Sequence, residues 1–133
     1  MARCDRTSTG DRFFKYTKMD NSTIKSMTSL ELEFATLWEE LYPNIDLVFQ
    51  YRVKRYRLDF CHVETKTAIE CQGGTWTAGL GHSSGKGIES DCKKFCTLAS
   101  MGFVVLPLTC KMITSQWLDA IAQTINLRLE KSI

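Results

Sequence analysis

Apolar residues along this chain recur at two spacings, and the changes from one to the other mark its elements. Leu30, Phe34, Leu37, Trp38 and Leu41 fall three or four residues apart, which predicts a helix over residues 29–41 with one apolar stripe. Ser29 is placed to cap its start, and Pro43-Asn44 to stop it. Residues 46–53, 56–63 and 67–71 are short apolar runs separated by Lys54-Arg55 and by Glu64-Thr65-Lys66, which predicts three strands joined by tight turns. Helical spacing returns over 88–100, with Ile88, Cys92, Phe95, Leu98 and Ala99 expected to face the core and Gly102 to end the helix. A nearly unbroken apolar run over 103–109 predicts a buried strand, and a last helix starts at Thr114 or Ser115 and runs to Leu129. Residues 1–27 are Ser/Thr-rich and charged without clear period, so they read as an irregular N-terminal arm ahead of one domain over 28–133.

Composition narrows the picture only a little. A chain of 133 residues, 44% hydrophobic and 24% charged, suits a single domain with a real core. Its net charge of +2 permits a nucleic-acid partner without demanding one. No window approaches the roughly 18 apolar residues of a membrane span, and Arg3, Asp5 and Arg6 leave no apolar leader core at the start. The expectation is a cytoplasmic protein without a membrane partner. Six cysteines lack any C-x-x-C pair, so buried reduced thiols are the expected state. Cys92 and Cys96, four apart on a helix, could join His62 or His82 around zinc as an alternative.

Chemistry concentrates between residues 57 and 94. Asp59 lies between Leu58 and Phe60, and Glu70 between Ile69 and Cys71, on strands expected to lie side by side. A carboxylate in a core strand is costly unless it is paired or holds a cation, so the two suggest a divalent-metal site, with salt bridges to Arg55 or Arg57 as the plainer reading. Glu31 and Glu33 suit the positive end of a helix dipole, and Glu31 borders the apolar stripe closely enough to join the carboxylates. Arg52, Lys54, Arg55 and Arg57 gather four cations beside Tyr51 and Tyr56, either as a solvated hairpin edge or as phosphate contacts. Residues 73–87 form a glycine-rich loop long enough to be functional, in which Trp76, His82 and Lys86 offer stacking, proton transfer and a cation.

The predicted order is α-β-β-β-α-β-α, an α/β fold with a mixed central sheet flanked by helices. With Asp59, ten intervening residues and Glu70-Cys71-Gln72, it resembles the PD-(D/E)xK nuclease superfamily and its restriction-endonuclease-like core. Ile69-Glu70-Cys71-Gln72-Gly73-Gly74-Thr75-Trp76, Gly81-His82, Gly85-Lys86-Gly87-Ile88-Glu89, Asp91, Lys94 and 102–106 are similar to the small phage-encoded branch related to very-short-patch-repair-type endonucleases. The resemblance covers roughly residues 29–113.

It implies an endonuclease that hydrolyses DNA with Mg²⁺, or Mn²⁺ in its place, in a homing, repair or junction-resolving role of a phage or mobile element, in the cytoplasm of an infected bacterial host. It makes Asp59 and Glu70 metal ligands, with the Cys71 carbonyl as a third oxygen and Glu31 as the acidic residue from the first helix. Arg52, Lys54, Arg55, Arg57, Trp76 and Lys86 become candidates for DNA contact. One position departs from the family pattern: Gln72 stands where a lysine is usual, and an amide supplies neither charge nor a base. His82 is the favoured replacement, as the group whose titration lies near neutrality, followed by Lys94 and Lys86. Loss of the lysine also leaves open a catalytically inactive DNA-binding module of the same fold. Cutting both strands in one encounter would call for a homodimer.

Overall fold

The computed structural model describes residues 13–14, 21–72 and 85–131, with 13–14 and 85–86 as backbone alone. Helix α2 (Ser29–Leu41) opens the predicted pattern, and its N-cap is Thr28 rather than Ser29. The Thr28 hydroxyl accepts from the Glu31 N–H at 3.1 Å, and the Glu31 carboxylate accepts from the Thr28 N–H at 2.8 Å. Each partner satisfies a backbone donor that the first turn leaves unpaired, so this reciprocal cap outcompetes a serine one residue later.

Strands β2 (Leu47–Val53), β3 (Tyr56–His62) and β4 (Thr67–Cys71) follow as an antiparallel meander. Their turns need left-handed backbone, which Lys54 (φ 54°) and Lys66 (φ 53°) adopt. Helix α3 (Gly85–Ser100) crosses over to β5 (Val104–Leu108), which pairs with β4 in parallel. After a 3₁₀ turn over Cys110–Met112, helix α4 (Ser115–Lys131) closes the fold.

Two elements lie within the stretch expected to be irregular. Strand β1 (Phe13–Phe14) pairs antiparallel with β2, and helix α1 (Asn21–Ser26) precedes α2. The sheet order is therefore β1-β2-β3-β4-β5. A two-residue strand shows no period of its own; its place is set by the edge of β2.

Helices cover both faces of the sheet, giving two apolar cores. One packs Leu30, Phe34, Ala35 and Trp38 of α2 and Leu118, Ile121, Ala122 and Ile125 of α4 against Leu47, Phe49, Phe60 and Ile69. Phe34 and Phe60 meet at 4.8 Å between ring centroids, and the buried Trp38 indole donates to the Ile45 carbonyl at 3.0 Å, as a buried N–H must. The other core is smaller and packs Val53, Leu58, Cys61 and Ala68 against Leu98 of α3 and Phe103.

Here the sequence expectation for α3 needs correction. Of its five expected core residues, Leu98 alone is buried; Phe95 is half-buried, Cys92 and Ala99 are exposed, and Ile88 is 53% exposed. One amphipathic stripe cannot tell how much of itself the sheet will cover. The thiols divide likewise: Cys61 is buried and Cys71 half-buried, but Cys92, Cys96 and Cys110 are exposed. No helix among the described residues is long and apolar enough to cross a membrane.

Candidate functional site

The pairing of β3 with β4 runs from His62↔Thr67 to Phe60↔Ile69 and stops there. Continuing that register would set Asp59 opposite Glu70. Instead of a backbone ladder, the two side chains take over: Glu70 Oε2 accepts from the Asp59 N–H at 2.9 Å, and Asp59 Oδ2 accepts from the Cys71 N–H at 2.8 Å. The strands part around two carboxylates that hold each other's backbone.

Two helices complete the cluster from opposite faces. Glu31, buried in the first turn of α2, reaches Asp59 closely enough to share a hydrogen bond and repel its charge. It therefore fills both roles open to it, capping the helix and joining the carboxylates. From α3, Lys94 forms an ion pair with Glu70 Oε1 and donates to the Arg57 carbonyl at 3.3 Å. Among the described residues it is thus Lys94, not Arg55 or Arg57, that pairs with Glu70, so the strand-end salt-bridge reading does not hold.

Crowding three carboxyls in a partly buried site alters the protonation of Asp59. Asp59 is pushed up to about 7, by burial first and by the Glu70 charge next; the Cys71 N–H opposes this and Glu31 adds to it. Burial and the same three acids drive the Cys71 thiol well above the usual thiol range, so its sulfur stays protonated and inert. Hard oxygen donors that cannot all ionise side by side fit a divalent cation. Asp59, Glu70 and Glu31 are the residues able to hold one. They are not already closed around a metal position, since among the described residues no three such side chains form a ready-made metal group. Glu70 is committed to Lys94.

The other sequence candidates divide by location. Gln72 extends the β4–β5 pairing, its N–H donating to the Leu108 carbonyl at 2.7 Å. Arg52, Lys54, Arg55 and Arg57 are all exposed on the β2–β3 hairpin that leads away from Asp59. The Arg55 guanidinium lies over the Tyr56 ring, 5.3 Å from its centroid. Trp76, His82 and the Lys86 side chain lie outside the described residues. Of the suggested zinc group, Cys92 and Cys96 share α3, His62 ends β3 with its Nδ1 at 2.8 Å from the Thr65 hydroxyl, and His82 lies outside the described residues. Two contributors escaped the sequence reading. Thr28 was visible as the start of Thr-x-x-Glu; Gln50, whose φ of 56° interrupts β2, was marked only by being polar in an apolar run.

A mixed sheet with helices on its faces is a fold that carries an endonuclease catalytic domain elsewhere. The catalytic domain of the homing endonuclease I-Bth0305I shares it, with a TM-score of 0.54 and 22% sequence identity over 80% of this chain and 99% of that one. No protein-family model and no curated protein matches the chain.

Proposed function

We propose that this chain is a metal-dependent DNA endonuclease of the PD-(D/E)xK type, using Mg²⁺ or, in its place, Mn²⁺. The observation that carries the proposal is the meeting of Asp59, Glu70, Glu31 and Lys94, drawn from two strands and two helices, at the point where the sheet opens. The fold shared with a homing endonuclease catalytic domain supports it. A divalent cation at such a site supplies an acidified water and neutralises charge developing on the phosphate oxygens.

The residues of the chain divide the remaining work. Asp59 and Glu70 present oxygen ligands, with the Cys71 carbonyl beside them, and Glu31 adds charge from below. Lys94 takes the part of the motif lysine absent at Gln72, reaching the site from α3 instead of from β4. With a cation held at Glu70, the Lys94 ammonium would be free to face the scissile phosphate, whose negative charge it would offset. Of the three candidates for that part, Lys94 is the one whose observed contact supports it; His82 keeps its proposed role in proton transfer. The exposed cations of the β2–β3 hairpin grip the DNA backbone without reading sequence. Two copies acting together would cut both strands. A phage or mobile-element setting follows from the same reading.

The test is conversion of supercoiled plasmid and of a branched junction by wild type and by Asp59→Ala, with Mg²⁺ and with EDTA. Metal-dependent cleavage that disappears in Asp59→Ala is expected. DNA binding with no cleavage under any divalent cation would instead select the inactive binding module.

A further inference from the structure

We infer that Gln50 is a positioning residue for Asp59: its left-handed backbone turns the β2–β3 hairpin over from one face to the other at unchanged register and so brings the Asp59 carboxyl to the line where the two cores meet. The inference rests on the endonuclease reading, in which Asp59 is the group that must be placed.

The change of face is visible in which core each residue joins. Leu47 and Phe49 of β2 pack toward α2 and α4, whereas Tyr51 and Val53 pack toward α3. A strand of period two would send all four the same way. On β3, Leu58 packs toward α3 and Phe60 toward α2, although they too are two apart. The register passes from Phe49↔Phe60 to Tyr51↔Leu58 with no pair between Gln50 and Asp59. Each strand thus spends one residue on changing face, and the two residues lie across from each other.

The backbone shows where this is driven. Gln50 has φ 56°, a conformation that glycine adopts freely and glutamine only at a cost. Left-handed backbone at a residue other than glycine is a strain that clusters at functional sites, where it fixes how a side chain is aimed. Regular alternation from Phe60 would turn Asp59 to the α3 face with Cys61, away from Glu31 on α2. With the change of face, Asp59 meets Glu31 from the α2 layer and, on the neighbouring strand, Glu70, which holds Lys94 of the α3 layer.

Three substitutions test it, Gln50→Gly, Gln50→Ala and Gln50→Val, in order of increasing resistance to left-handed backbone. Gln50→Gly should melt at or above the wild-type temperature, although glycine within a strand ordinarily weakens it, and should keep the wild-type kcat. Gln50→Val should lower kcat about a hundredfold at unchanged KM, as a misplaced catalytic group does, with Gln50→Ala between them. Amide exchange supplies a readout apart from activity: the Asp59 and Cys71 N–H groups, held by carboxylates, should exchange about tenfold faster in Gln50→Val and at the native rate in Gln50→Gly. If Gln50→Val does not fold, Gln50→Ala carries the comparison. Melting lowered by glycine, or native kcat and slow amides in both Gln50→Ala and Gln50→Val, would overturn the inference. A wild type inactive with every divalent cation would remove the endonuclease reading alone, since the order of amide exchange still decides what Gln50 does.

Discussion

Lys94 on α3 and Glu70 on β4 form an ion pair across 24 residues of sequence, with Lys94 only one-fifth exposed and Glu70 less than a tenth. The ammonium occupies one oxygen of a carboxylate whose other oxygen is held by the Asp59 N–H. A cation that binds Glu70 must therefore displace Lys94.

This competition separates binding from catalysis. Lys94→Met should bind Mn²⁺ more tightly than wild type in an EPR titration, because a repelling charge is gone. The same variant should cleave about 100-fold more slowly or worse, having lost a charge that acts on the phosphate. Weaker Mn²⁺ binding together with an intact rate would remove Lys94 from the mechanism.

Glu31 can be split into its two roles. Glu31→Gln keeps an amide oxygen for the Thr28 N–H, and glutamine serves in this type of cap, but it removes the charge beside Asp59. Stability should hold or rise while Mg²⁺ affinity falls. Glu31→Ala should lose the cap as well, at about 1 kcal/mol in urea denaturation. Equal Mg²⁺ binding by Glu31→Gln and wild type would confine Glu31 to capping.

The protonation of Asp59 predicts how stability depends on pH. Its folded value, about 7, stands above the ordinary 3.8. The stability associated with the protonated carboxyl is thus full below about pH 4 and lost as pH rises through about 7, by an amount on the order of 2–4 kcal/mol. In EDTA, the unfolding midpoint should fall over that window, and Asp59→Asn should abolish this component. His62, lowered by burial, works in the opposite direction, so the difference between the two proteins isolates Asp59. Mg²⁺ should restore the midpoint above pH 7. A difference that stays constant across the window would show that Asp59 ionises normally.

The thiols offer an independent check of α3. Cys92, Cys96 and Cys110 should react with a thiol reagent in the native protein, while Cys61 should react only on unfolding. Slow labelling of Cys92 and Cys96 in the native state would mean that the α3 face is covered. Stoichiometric zinc in purified protein would revive the metal-thiolate alternative.

The central paired ring contact tests the larger core. Phe34→Ala removes a fully buried ring that stacks on Trp38 and tilts against Phe60. It should cost about 3–5 kcal/mol in denaturant unfolding. A loss below about 1 kcal/mol would mean the ring is not packed as described.

Sequence patterns were most readable where local physics dominates. The stripe of α2 and the alternating turns and runs of β2, β3 and β4 follow from backbone period and burial. The apolar run of β5 does form a strand, but it is not the buried one expected, because it lies at the sheet edge with only Leu108 of its five residues buried. Asp59 and Glu70 were conspicuous as charges in apolar runs, and Lys94 was visible as a candidate. The exposed cations of the hairpin were equally plain.

What the sequence determined by itself was therefore the main elements from α2 to α4, their order and the chemical types at the site; β1 and α1 escaped it. Tertiary structure alone decided that Glu31 both caps α2 and reaches Asp59, because the two lie 28 residues apart and on different elements. It also chose Lys94 over other cations, since the ion pair depends on how α3 lies across β4 and on no local spacing. The change of face at Gln50 and Asp59 belongs here too. Regular alternation puts Leu58 and Phe60 on one face; only packing between two helical layers reveals that the strand changes face between them.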